Sequence, residues 1–207
     1  MSKELSVQLA PVASPIASSA ATTSIWLRTT GIVLAGSALA AVCARVSVPL
    51  FFTPIPLSLA PFAVLLLGLL LPPRMAAATL GAYLAEGALG LPVFAPAPLT
   101  GGLAHLGLTH LFGPTGGYLV AYPLAAALIS FLWRRTGRGF SAALFSAAAG
   151  NLAILVCGAL WLAVLTRASA QSILTLAVLP FLPGDALKIA AAAALATGIQ
   201  RLCRHNP

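Results

Sequence analysis

Long apolar runs, broken by short clusters of proline, glycine and arginine, set the rhythm of this chain. A helix that crosses a bilayer needs about 20 apolar residues, with a range near 17–25. On that rule spans are predicted at 25–46, 57–71, 75–91, 117–133, 140–166 and 184–202. The second is short, and the third follows after only Pro72, Pro73 and Arg74, so the two form a tight helical hairpin. If that hairpin is re-entrant, four full spans remain and Arg74 moves to the other side. The expected fold class is an all-α integral membrane protein with six transmembrane helices.

The segment before the first span, 1–24, is rich in Ser, Ala and Thr and carries Pro11 and Pro15. It lacks a continuous apolar core of signal-peptide length and reads as a retained cytoplasmic tail. Residues 25–207 then form a single transmembrane domain.

Composition agrees with the pattern. The chain has 207 residues, 60% hydrophobic and 7% charged, with mean hydropathy +1.02. A soluble domain carries roughly 25% charged residues, so there is too little polar surface here to face water. The net charge of +8 invites a nucleic-acid reading, since Lys and Arg release counterions from phosphate backbones. Here the cations sit singly or in small groups between apolar runs, which topology explains and a nucleic-acid groove does not.

Lys and Arg accumulate on cytoplasmic loops. With the N-terminus inside, the inner set is Lys3, Arg28, Arg74, Arg134, Arg135, Arg138, Arg201 and Arg204; the outer set is Arg45 and Arg167. Both termini are therefore expected on the cytoplasmic side. Trp26 and Trp133 would lie near the inner interface and Trp161 toward the outer one, as belt residues. Gly36, Ala40 and Ala44 recur at four-residue spacing on the first span, which lets another backbone approach closely. That face serves either packing within the bundle or docking of a partner.

The outer connections are long and proline-rich. Ser47–Pro56 contains Pro49, Pro54 and Pro56, and Pro92–Gly117 ends in Gly113-Pro114-Thr115-Gly116-Gly117. Long irregular segments in a compact bundle commonly form a lid or binding loop. No internal repeat is visible, which weighs against an inverted-repeat transporter.

Three acidic residues occur in all: Glu4, Glu86 and Asp185. Glu86 and Asp185 fall in predicted spans, as does Lys188. A charge at the bilayer centre costs roughly 2.5–3.5 kcal/mol on insertion scales, so such residues are functional candidates by default. Asp185 and Lys188, three apart, share a helix face. They form either a structural ion pair or a pair shared with a polar ligand, Asp185 accepting from N–H groups and Lys188 donating to an oxygen. Glu86 is a ligand contact or a packing anchor. Asn151, near the middle of the fifth span, can reach the same cavity. Tyr118 and Tyr122, one turn apart, are belt residues or cavity walls.

No metal site is indicated. Cys43, Cys157 and Cys203 include no CxxC pair and are odd in number, and His105 and His110 do not match HExxH. No GxxxxGK[ST] occurs, so the chain itself has no P-loop for nucleotide hydrolysis. No enzymatic nucleophile, base and stabilising donor set stands out either.

The run PIPLSLAPFAVLLLGLLLPPRMAAATLGAYLAEGALGLPVFA, then GPTGGYL, then FLPGDALK, resembles the biotin-specific substrate-binding subunit (S component) of energy-coupling factor transporters. These pieces cover most of residues 47–202 in that family's order and spacing. The resemblance implies a six-helix S component, both termini inside, that sits in the bacterial inner membrane and binds biotin from outside. It implies partnership with a transmembrane coupling subunit and a pair of ABC ATPases, which hydrolyse ATP; the chain itself would carry no cofactor. Asp185 and Lys188 match the family's charged signature at the binding site, and Ala40 and Ala44, with Gly36, look like its small-residue docking motif. The chain departs from the family at Ser58-Leu59-Ala60, where a Thr-Leu-Gln-like run is usual, so no polar ligand contact is assigned to the first outer loop. The competing readings are an S component for another vitamin and a membrane-embedded enzyme.

Overall fold

The computed structural model describes residues 15–96 and 107–205. Its elements in chain order are α1 (Pro15–Arg45), β1 (Ser47–Val48), β2 (Leu57–Ser58), α2 (Ala60–Leu70), α3 (Pro73–Ala88), α4 (Leu108–Leu111), α5 (Gly116–Arg135), α6 (Phe140–Thr166), α7 (Ala170–Ile173), a π-helical stretch Leu174–Val178, and α8 (Leu182–His205). The chain divides into two compact units, Met1–Ile32 and Val33–Pro207. In the first, the described residues are the helical start of α1.

The fold is helical, with one departure. β1 and β2 are two residues each and pair antiparallel, Ser47 opposite Ser58 and Val48 opposite Leu57, closing the first proline-rich connection into a loop. Among the described residues four helical segments are long and apolar enough to cross a membrane: Trp26–Arg45, Gly116–Arg135, Phe140–Thr166 and Leu182–Cys203. The two helices of the predicted hairpin are shorter, 11 residues in α2 and 16 in α3. At a rise of 1.5 Å per residue, α2 extends only about 16 Å. Prolines set these limits. Pro61 and Pro73 lie in the first turns of α2 and α3, and the joint between them, Leu71 and Pro72, is extended, because a proline disfavours helical geometry in the residue before it.

α1 begins at Pro15, inside the segment expected to be a tail. Residues 1–14, with Lys3 and Glu4, lie outside the described part, as does His105.

α5 packs most extensively against α6 and α3, and α2 fits between α5 and α8. α2 is the most buried helix, with a run of buried side chains from Ala63 to Leu69. Small residues permit the close α5–α6 approach: a Cβ on Gly117 would strike Trp161, and one on Gly150 would strike Ile129. On the outside, Leu124, Phe145, Leu160 and Leu187 are exposed. Exposed apolar surface on this scale has no place in water and suits a lipid-facing perimeter. The chain is a membrane protein.

Two sequence expectations are corrected here. Trp133 is no belt residue; it is 2% exposed and sits in a core with Leu65, Ile129 and Ala196. The Gly36, Ala40 and Ala44 face is turned inward. Ala40 and Ala44 are buried, and a Cβ on Gly36 would meet Thr79 of α3 and Leu67 of α2. Lacking bulk, these residues let α1 close on its own bundle.

Candidate functional site

The first turns of α5 and α8 and the middle of α6 contribute to one site. Between them lies a partly open cavity. Pockets for small molecules are mostly apolar, with a few placed polar groups. This one fits that description. Its apolar walls include Ile55, Ile154, Leu155 and Phe181, and its aromatic walls Tyr83, Tyr118 and Tyr122.

The floor carries the charge. Asp185 and Lys188, in the first two turns of α8, are 4% and 9% exposed. Lys188 Nζ donates to Asp185 Oδ1 at 3.0 Å. Asn151 of α6, also buried, donates from Nδ2 to Asp185 Oδ2 at 3.0 Å. Each oxygen of the carboxylate thus has a donor, as a buried charge requires. The ammonium carries three donors, and Asp185 is the one hydrogen-bond acceptor recorded for it among the described residues. All three side chains line the cavity.

Tyrosines shape the walls and are themselves anchored. Tyr118 OH donates to Ala177 O at 2.8 Å, inside the π-helical stretch, where the altered turn frees carbonyls for outside donors. Its ring is set by Gly158, where an added Cβ would collide with it. Tyr83 stacks on Tyr122 with centroids 6.4 Å apart. At the mouth, Phe94 lies edge-on to Tyr83 and against the His110 ring, with centroids 5.3 and 5.0 Å away. The first loop is held down by Thr53, whose hydroxyl donates to Leu176 O at 2.8 Å.

Of the residues singled out from sequence, Asp185, Lys188, Asn151, Tyr118 and Tyr122 come together at the cavity. Glu86 does not line it. Near the end of α3, its carboxylate accepts from Ser37 Oγ at 2.7 Å, tying α3 to α1. That is the anchoring role, and the short side chain of Ser37 makes it possible. Sequence reasoning missed Tyr83, Phe181 and Ser58 as wall residues. Ser58 brings a hydroxyl-bearing side chain from the first loop to the cavity. Its signal was the serine itself, between Leu57 and Leu59.

A membrane protein whose buried carboxylate, ammonium and amide face an aromatic-lined cavity belongs to the class of solute-binding membrane proteins. The sequence pattern of the BioY family matches residues 13–205. The chain belongs to the BioY family. It is 37% identical over 163 residues to the "Probable biotin transporter BioY" of Pyrococcus horikoshii, covering 79% of this chain and 90% of that protein. It is 32% identical over 166 residues to the biotin transporter BioY of Thermotoga maritima, covering 80% and 92%. The fold is shared with a crystal structure of the S-component for biotin from an ECF-type ABC transporter. The TM-score is 0.74 at 24% identity, over 86% of this chain and 93% of that one.

Proposed function

We propose that this chain is the biotin-binding membrane subunit of an uptake system, and that Asp185, held between Asn151 and Lys188 at the floor of an aromatic cavity, is its central ligand contact. That arrangement carries the reading. Biotin offers two ureido N–H donors, one carbonyl acceptor, an apolar bicycle and a carboxylate tail. The carboxylate of Asp185 accepts from N–H groups, the remaining ammonium donors of Lys188 serve an oxygen, and the rings of Tyr118, Tyr122 and Phe181 enclose the bicycle. Ser58 adds a hydroxyl from the first loop.

In this reading the chain is a transport subunit, not an enzyme. It crosses the plasma membrane several times with both termini inside, and the cavity opens outward. Energy for uptake comes from partners, a transmembrane coupling subunit and a pair of ABC ATPases that hydrolyse ATP, and the chain needs no cofactor of its own. Since Gly36, Ala40 and Ala44 are covered within the bundle, the partner meets exposed surface elsewhere. The test is calorimetry on the purified full-length chain with biotin, and with thiamine and riboflavin as comparison ligands. Saturable binding of biotin alone is expected. Binding of another vitamin with biotin inert would overturn the assignment.

A further inference from the structure

A second crevice lies at the opposite end of the bundle, where α5 ends, α6 begins and α8 finishes. Arg138, Gly139 and Phe140, at the α5–α6 turn, face Thr197, Gln200 and Arg201 of α8 around an open recess. Unlike the biotin cavity, its lining is basic.

The two arginines here are chemically uncommitted. Their neighbours are not: Arg134 Nε donates to Ser130 Oγ at 3.2 Å, and the Arg135 guanidinium lies 5.0 Å from the Phe131 ring centre. For Arg138 and Arg201 no ion pair or hydrogen bond from the side chain exists among the described residues. The acidic groups of the described part are spent elsewhere. Asp185 is held by Asn151 and Lys188 at the other end, and Glu86 accepts from Ser37. Two guanidinium groups and the Gln200 amide thus line a recess that no described carboxylate neutralises. A guanidinium presents a planar fork of donors suited to phosphate oxygens.

The surroundings say where such a phosphate comes from. Phe140, in the crevice wall, and Leu202, next to Arg201, are 45% and 73% exposed. In a membrane protein, exposed apolar side chains beside helix-end arginines mark the boundary between hydrocarbon and headgroups. We propose that this crevice binds the phosphate group of an anionic glycerophospholipid, with Arg138 and Arg201 as its charged donors and Gln200 as the neutral one.

The proposal is tested on the full-length chain by native mass spectrometry, titrating phosphatidylglycerol against phosphatidylcholine. One basic residue near a membrane surface contributes about 1 kcal/mol to anionic-lipid binding, roughly five-fold in affinity. Arg138→Gln and Arg201→Gln should each weaken phosphatidylglycerol binding about five-fold, and the double variant roughly 25-fold. Arg135→Gln, at the same end but engaged with Phe131, should leave it within two-fold (about 0.4 kcal/mol). Biotin binding in the double variant reports that the bundle is intact. Equal losses for Arg135→Gln and the crevice variants would overturn the site in favour of diffuse surface charge. So would undiminished phosphatidylglycerol binding in the double variant. Millimolar inorganic phosphate that displaces the lipid from wild type, and not from the double variant, would establish the phosphate group as the recognised element. Phosphate that displaces both alike counts against it.

Discussion

Asn151 and Asp185 are 34 residues apart in sequence, on α6 and α8, yet the amide Nδ2 stands 3.0 Å from the carboxylate Oδ2. With Lys188 on the other oxygen, the chain's own donors order the carboxylate from both sides. A preorganised acceptor avoids the entropy of being fixed on binding. It also makes the site sensitive to loss of any one member, because a buried charge left short of a partner is costly.

The first prediction follows from that triad. Asp185→Asn and Lys188→Met each delete a charge-assisted hydrogen bond, worth roughly 1.5–3 kcal/mol. Each should weaken biotin binding by at least about tenfold in calorimetry on folded protein. A purely structural pair behaves differently: the single variants lose thermal stability, and the double variant regains it with binding intact. Unchanged affinity in a folded double variant would sink the ligand role.

Asn151→Leu separates orientation from charge. It keeps Asp185 and Lys188 and strips one donor from Oδ2. Leaving a buried acceptor unpaired costs about 1–3 kcal/mol, so biotin affinity should fall about five- to a hundred-fold. Asn151→Asp should be worse than Leu, since it sets a second carboxylate against the first. If the two variants bind equally, the contact to Asp185 does not matter.

Thr53 is the fastening of the first loop. Thr53→Val keeps shape but leaves Leu176 O without this donor, and the loop that brings Ile55, Pro56 and Ser58 to the cavity loosens. The expected sign is faster biotin release, read by displacement of labelled biotin, with little change in melting temperature. A drop in stability with an unaltered release rate would assign Thr53 to the scaffold.

For Ala40→Trp, the buried position dictates the outcome. The added ring has no space against the bundle, and overpacking typically costs 1–3 kcal/mol or more. Thermal melting in detergent should show marked destabilisation, and biotin binding and copurification of partners should fall together. A variant of normal stability and biotin affinity that loses its partners would restore this face as a docking surface.

The charged trio of the site was legible in part because lipid makes charge conspicuous. Asp185 and Lys188 stand out in an apolar helix, and their spacing puts them on one face. Asn151 was placed near them by depth alone. Glu86 stood out for the same reason, yet the bundle uses it to bind Ser37. Rarity flags a residue and says nothing of which neighbour it meets.

The apolar class, the bounds of α5, α6 and α8 to within a few residues, and the short helical pair pinched by Pro72 and Pro73 are readable from the amino acids alone. Those follow from local terms, apolar run length and proline geometry, which need no partner to act. Which side of each helix faces inward emerges only from the packing of the bundle. In water an amphipathic stripe announces the buried face; here Leu124 faces out and Ala125 faces in, and both are apolar. Hence the inward turn of Gly36, Ala40 and Ala44, the burial of Trp133, and the arrival of Tyr83, Ser58 and Phe181 at the cavity could not be read from periodicity. They depend on which backbones approach most closely, and small residues such as Gly117, Gly150 and Gly158 set that through contacts far along the chain.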